Sequence, residues 1–447
     1  MDQSRLRGCE RRQIRLKHVA FKCICLNASP SAFIQGIDAS LEPPMGRTGM
    51  LHKDKTESFM NQFDSLSRRA MQAPESGIVA VVNHGRLKPG LIPLWAGEGD
   101  EATPEFIARP AAEALLAGET FYTWQRGIPE LRQALSDYHA RHFDSRLPLD
   151  AFCVTGSGMQ AIKIAIEAVV DPGDEVVQLT PAWPNFPAAL SMSGGVPVAA
   201  ELDYTEGRWS LDPERIAAAI TPRTRALFIN SPSNPTGWTA TRDDLVAILE
   251  LARKNGLWII ADEIYTRFFY AGGRAPSFLD IMDDDDRILF VNTFSKNWSM
   301  TGWRVGWIVA PPSIIQVLEN SVQYQTSGVP QFMQKGAMAA LEQGDAYVEA
   351  QVAKAAAARD LFCDALTGTN RVVTQKPDGA FYAFFRIDGI GDTKAAAIDI
   401  VDRAGVGLAP GTAFDKGGAS FLRACFLRRL DHVEEAASRL AGYISSL

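Results

Sequence analysis

The chain has 447 residues, 46% hydrophobic and 22% charged, an ordinary composition for a globular enzyme large enough to bury one major domain and a smaller lobe. Its 45 basic and 52 acidic residues leave a formal charge of −7, which gives no reason to expect nucleic acid as a partner. Cys9, Cys23, Cys25, Cys153, Cys363 and Cys425 are too few and too scattered for a disulfide framework, which points to a reducing, cytoplasmic setting, and every apolar run is broken well short of membrane-spanning length.

Residues 1–60 differ from the rest. Residues 1–22 hold seven Arg or Lys against two acids, and 29–56 mix Pro, Gly, Ser and charge without a sustained period. The segment reads as a poorly ordered N-terminal extension, or as a stretch upstream of a natural start such as Met60; a transit-like or nucleic-acid-binding arm is the alternative. From residue 61 the pattern is regular. A helix is expected over 61–84, then a short apolar strand at 91–96 that ends in Gly97-Glu98-Gly99-Asp100. Helical periods follow at 103–117, 128–143 and 159–170.

Short apolar runs at 175–179, 196–200, 226–229, 257–261, 287–291 and 305–309 then alternate with helices. Several, such as Leu257-Trp258-Ile259-Ile260-Ala261, are apolar on consecutive residues, the mark of strands covered on both faces. The expected fold class is therefore α/β, with a mainly parallel sheet between helices in a large domain. Ligands in such sheets gather at the carboxyl ends of strands. Long helices are expected over 313–368, broken near 327–330. Strands at 372–373, 381–387 and 421–426 with helices at 393–403 and 432–445 describe a smaller α+β lobe. The expected division is an extension at 1–60, an arm and part of the small domain at 61–110, a large domain at 111–345 and a small domain at 346–447.

Three strand ends and one helix-opening turn carry the chemistry. Asn292-Thr293-Phe294-Ser295-Lys296 follows the strand at 287–291 and leads to Thr301-Gly302-Trp303-Arg304. Among small hydroxyls and aromatics, a lysine can lose its proton and form a Schiff base with an aldehyde cofactor, with Thr293, Ser295 and Arg304 as phosphate donors. Read alone, it could equally stand beside a surface turn. The strand at 257–261 delivers Asp262-Glu263-Ile264-Tyr265, where an aspartate at a buried strand end needs a positive partner such as a pyridinium nitrogen, and Tyr265 can reach a ring oxygen. Either acid could instead cap a helix. The strand at 226–229 leads into Asn230-Ser231-Pro232-Ser233-Asn234-Pro235-Thr236-Gly237, a rigid turn that can aim the Asn234 amide. Val154-Thr155-Gly156-Ser157-Gly158-Met159 opens a helix whose N-terminus favours a phosphate, and it matches neither the dinucleotide fingerprint nor a Walker loop.

Together these segments resemble the class I/II aminotransferases of pyridoxal-phosphate fold type I, over roughly residues 61–447. The resemblance implies a seven-stranded sheet in the large domain, pyridoxal 5′-phosphate as the cofactor with no metal, and Lys296 as the residue that holds the aldimine and moves the proton. It implies that Asp262 pairs with the ring nitrogen, that Asn234 and Tyr265 meet the ring oxygen, and that Trp183 stacks on the ring, where near relatives more often have tyrosine. Ser157, Gly158, Met159, Thr293, Ser295 and Arg304 would hold the phosphate. Arg423 would take the substrate α-carboxylate, with Gly97, Trp183 and Asn234 beside it; an apolar strand around a charge is already an anomaly unless the arginine lies at an edge. Tyr122 resembles the tyrosine that reaches the neighbouring subunit's cofactor, which implies a homodimer with shared sites.

The implied reaction moves the amino group of an L-amino acid to a 2-oxo acid. The side-chain pocket is less legible: neither Arg126 nor Arg274 can be assigned to a distal carboxylate, and Trp95, Phe121, Trp298 and Tyr382 suggest an aromatic-rich pocket. Carbon–sulfur β-lyases and aminocyclopropane-carboxylate synthases share the same cofactor apparatus and remain the alternative. A regulatory protein with an aminotransferase-like domain would need a helix-turn-helix that residues 1–60 lack.

Overall fold

In the computed structural model, which describes residues 65–71 and 73–447, the consecutive apolar runs become strands of one sheet: Phe152–Thr155 (β1), Glu175–Thr180 (β2), Val196–Glu201 (β3), Thr224–Asn230 (β4), Trp258–Asp262 (β5), Ile288–Thr293 (β6) and Gly306–Val309 (β7). Its seven strands run in the order β1-β7-β6-β5-β4-β2-β3. All neighbours are parallel except β7, which is antiparallel to both β1 and β6. Successive residues of a strand enter opposite cores. In β5, Ile259 and Ala261 pack with the helix Arg242–Asn255, whereas Ile260 packs on the side of Gly158–Val169 and Ile315–Gln325. Each fully buried side chain of this size contributes roughly 1.5–3 kcal/mol, which favours apolar residues until the strand leaves the core, although β2 buries Glu175 and Gln178. Only the edge strand β3, paired on one side, is largely exposed.

The expected helix over 61–84 is not continuous. Helices Arg68–Met71 and Gly77–Gly85 are separated around Pro74, which lacks an N–H and disfavours helix in the residue before it. Residues 61–64 of that expectation, and the whole of 1–60, lie outside the described residues. The expected break near 327–330 is present between Ile315–Gln325 and Gln331–Gln343, with Ser327 and Gly328 at φ 57° and 105°. A second break at Gly344, before Asp345–Thr367, was not expected.

The smaller α+β part is built on a three-stranded sheet in which Leu422–Cys425 lies between Tyr382–Phe385 and Ala409–Pro410. Helices Thr393–Arg403 and Leu430–Ser445 complete it; the strand expected at 372–373 is reduced to a single bridge between Val372 and Ile387. The expected 91–96 strand is only Ile92–Pro93, parallel to Val406–Gly407. Beyond it the backbone continues beside the small sheet, where Leu94 donates to Gly407 and accepts from Cys425, each at 2.8 Å. That path delivers Gly97 to the rim of the large sheet. Among the described residues no helix is long and apolar enough to cross a membrane.

Gly306 is where the large sheet and the phosphate-side helix touch: a Cβ there would stand 2.8 Å from the Gly158 nitrogen, the Ser157 carbonyl carbon and the Asn292 oxygen. Gly306→Ala is expected to lower stability by about 1–3 kcal/mol. Gly442→Ala, in open space on the helix Leu430–Ser445, is expected to be neutral or to add up to about 1 kcal/mol. Thermal denaturation of the two variants checks both.

Candidate active site

Register brings the chemistry to one rim. Asp262 at the end of β5 lies opposite Asn230 of β4 and Val291 of β6, and Gly306 at the start of β7 lies opposite Thr155 and Thr293. The strands thus release Asn230, Asp262 and Thr293 towards a cavity of about 480 Å3. The helix Gly77–Gly85, the segment 95–97, Tyr382 and Arg423 close its other sides.

Lys296 reaches this cavity three residues past β6, and its Nζ donates to the Gly97 carbonyl at 2.7 Å. Burial pushes the amine down to about 8, helped by the Arg423 and Arg304 charges and opposed by Cys425 and Glu98. An amine so placed is unprotonated for a useful fraction of the time at mildly alkaline pH, as a nucleophile requires. Position 97 must be glycine, because a Cβ there would fall on the Tyr382 hydroxyl.

Asp262 is 1% exposed, and its carboxylate accepts only a long hydrogen bond from the Ile264 N–H, at 3.5 Å. Desolvation pushes it up to about 7. Among the described residues it forms no ion pair, so it presents an acceptor in need of a cation. Its neighbour Glu263 accepts from the Ser277 hydroxyl at 2.6 Å and the Phe278 N–H at 3.1 Å, at the start of the short 3-10 turn Phe278–Asp280, whose cap is Ser277 and neither Asp262 nor Glu263. Asn230 braces the next element, donating to the Asp262 carbonyl at 3.1 Å and accepting from the Asn234 N–H at 2.8 Å. The Asn234 loop holds two cis X-Pro bonds, at Pro232 and Pro235. The Tyr265 and Tyr382 hydroxyls lie 2.7 Å apart.

At one end of the cavity, Ser157 caps the helix Gly158–Val169 by accepting from Gln160 at 3.0 Å, and Gly158 and Met159 line the cavity beside it. Thr293 Oγ1 donates to Ser295 Oγ at 2.9 Å, and Arg304, in the left-handed region at φ 54°, completes this end. A helix N-terminus, two hydroxyls and a guanidinium suit a phosphate. Trp183 lines the cavity from a loop pinned by Asp415, whose carboxylate accepts from the Ala182 N–H at 3.0 Å.

Arg423 is not at an edge: it lies in the middle strand of the small sheet and is 2% exposed. Nη1 donates to Asn234 Oδ1 at 3.0 Å and Nη2 to the Trp95 carbonyl, while Nε has no partner. Tyr382 and Phe414 flank the guanidinium at 4.8 and 4.9 Å. Among the described residues no carboxylate pairs with it. A buried carboxylate without a cation, a phosphate-shaped end and a buried guanidinium without an anion fit pyridoxal phosphate and an amino acid at the same cleft.

The cavity therefore brings together Gly97, Gly158, Met159, Trp183, Asn234, Asp262, Tyr265, Thr293, Ser295, Lys296, Arg304 and Arg423, with Ser157 one residue behind. Tyr122 does not join them: it is 91% exposed, beside Phe121 and residues 326–330. Of the four expected pocket aromatics, Trp95 and Tyr382 line the cleft, whereas Trp298 is fully buried in the core and Phe121 is exposed. Arg126 and Arg274 are engaged elsewhere, with Asp150 and Asp280. Asn230, Asp415 and the apolar helix wall were missed. A polar residue ending β4 was a signal for Asn230; Asp415 gave none, since its role depends on a contact 233 residues away.

Residues 89–440 match the family model for aminotransferase class I and II. The aspartate/prephenate aminotransferase of Thermus thermophilus is 34% identical over 383 residues, 84% of this chain and 98% of that protein. The arginine–pyruvate transaminase of Pseudomonas aeruginosa is 33% identical, covering 78% of this chain and 88% of that one. The solved aspartate aminotransferase of Thermotoga maritima superposes with a TM-score of 0.79 at 32% identity, covering 85% of this chain and 99% of that structure.

The raised carboxyl of Asp262 has a thermodynamic sign. Both states are protonated below about pH 4, whereas above about 7 the folded state alone carries the cost of a buried charge, so the native aspartate destabilises the ligand-free protein as pH rises through that window. Asp262→Asn is expected to raise the melting temperature of ligand-free protein at pH 8 by about 2 °C or more, on the order of 1 kcal/mol. The gain should vanish towards pH 4, and melting curves across that range measure it.

Proposed function

The chain belongs to aminotransferase class I and II, and on that premise we propose that Lys296, Asp262 and Arg423 are the working centre of a pyridoxal-phosphate-dependent transfer of an amino group from an L-amino acid to a 2-oxo acid. Transamination follows from the family; the residue roles are our reading. Asp262 would face the ring nitrogen, Asn234 and Tyr265 the ring oxygen, and Trp183 the ring face. Gly158, Met159 and the Ser157 cap would hold the phosphate with Thr293, Ser295 and Arg304. Bound there, pyridoxal phosphate supplies an aldehyde that condenses with amines and a protonated ring that withdraws electrons.

The chain's own residues supply the rest. Arg423 binds the substrate α-carboxylate through its fork and so fixes which bond at the α-carbon faces Lys296. Lys296 Nζ, when unprotonated, would take the substrate α-proton as general base and give a proton back as general acid. Its lowered proton affinity suits both halves. The Gly97 carbonyl steers Nζ, and the Tyr265–Tyr382 hydroxyl pair links the ring-oxygen contact to the aromatic that flanks Arg423. One observation carries the reading: an amine of lowered proton affinity and a buried guanidinium without an anion open into the same cavity.

Tyr122 completes the proposal from outside. Exposed beside Phe121 and Trp124, it stands in an aromatic surface of the kind a second copy covers, which supports a homodimer in which Tyr122 reaches the partner's phosphate end.

Lys296→Ala is expected to lose the visible absorbance of the cofactor-loaded enzyme and to fall in turnover by at least about 10³-fold. Absorbance spectra and amino-transfer assays on the purified variant decide it, and retention of both properties would sink the assignment.

A further inference from the structure

Every charged side chain that lines the cavity already has a task. Among the described residues these are Lys296, Arg304, Arg423 and Asp262. Lys296 serves proton transfer, Arg304 the phosphate, Arg423 the α-carboxylate and Asp262 the ring nitrogen. Among its described residues, this chain's own lining leaves no cation for a distal carboxylate and no anion for a basic side chain. The uncharged polar lining residues not already given a role are Ser76, Asn185 and Thr301.

What faces the cavity instead is apolar and fixed. Ile78, Val79 and Val82 turn inward from one face of the helix Gly77–Gly85. Trp95 lines the same cavity and is itself 6% exposed. The wall does not float: Gly85 lies close enough to Trp95 and Val401 that a Cβ there would crowd both. His84 meets Asp402 at 2.8 Å and Lys88 pairs with the same carboxylate, tying the helix to Thr393–Arg403. Val79 lines the cavity and is half-exposed, so a ligand seated there would cover it.

We propose that the amino donor has an uncharged, apolar side chain, aliphatic or aromatic, seated against Ile78, Val79, Val82 and Trp95. The proposal rests on the transaminase reading above and goes beyond family membership, since the relatives named include both an aspartate/prephenate and an arginine–pyruvate enzyme. An acidic or basic side chain would lose its water here and gain no counter-charge, whereas an apolar one would gain contact with a wall already built.

The test is the single-turnover absorbance change of the cofactor-loaded enzyme with leucine, phenylalanine, aspartate, glutamate and arginine, each over a concentration series. The expected result is a second-order constant for leucine or phenylalanine at least tenfold above those of the three charged amino acids. Equal or greater reactivity of aspartate, glutamate or arginine would overturn the proposal while leaving the transaminase reading intact. Silence towards all five would overturn that reading and the proposal with it. Val79→Arg, at a half-exposed position that does not threaten the fold, should move the aspartate-to-leucine ratio at least tenfold towards aspartate; a ratio unchanged in protein of native circular dichroism would overturn the wall's assignment.

Discussion

The cleft depends on charges that the protein buries without neutralising. Arg423 sits in the middle of a sheet with only an amide oxygen and a carbonyl to bond, and Asp262 ends a strand with a single long hydrogen bond. Leaving an ion uncompensated in a core is among the more costly things a fold can do. In the reading proposed here the missing partners are a substrate carboxylate and a ring nitrogen, so the affinity for both is built in before either arrives.

Holding such charges apart requires a stiff frame, and its parts are visible. β5 carries Asp262 out of a core packed on both faces, and its register against β4 and β6 fixes the carboxylate beside Asn230 and Val291. The segment through Leu94 is bonded to two small-domain strands, which sets Gly97 against Lys296 on one side and Tyr382 on the other. Arg423 is clamped between Tyr382 and Phe414. Lys296 feels the same low-dielectric surroundings, and its amine is pushed towards neutrality for the same reason that Asp262 is pushed up. One physical cause thus prepares the base and the electrostatic partner together.

Much of this was legible in the sequence because strand ends are local. Apolar runs that stop abruptly at Asp262, Asn230 or Asn292-Thr293 announce both the strand and the polar residue at its mouth, and the large sheet follows from the absence of alternation in runs such as 257–261. Arg423 stood out as a charge inside an apolar strand. Features set by contacts distant in sequence were not legible. The antiparallel course of β7, the pinning of the Trp183 loop by Asp415 and the hydroxyl pair of Tyr265 and Tyr382 join residues more than a hundred positions apart or depend on sheet order. Trp298 and Phe121 show the limit of composition, since one aromatic near Lys296 in sequence is core and another is surface. The break at Pro74 was readable and was outweighed by the apolar period around it.

The most direct test is a calorimetric titration of a saturated monocarboxylic acid without an amino group into the cofactor-loaded enzyme and into Arg423→Met, paired with their melting temperatures. If Arg423 is a charge kept for the substrate, the variant will melt no lower than the native protein and bind the acid at least tenfold more weakly. A variant that melts far lower yet binds the acid undiminished would show that Arg423 serves the fold and that the carboxylate is received elsewhere.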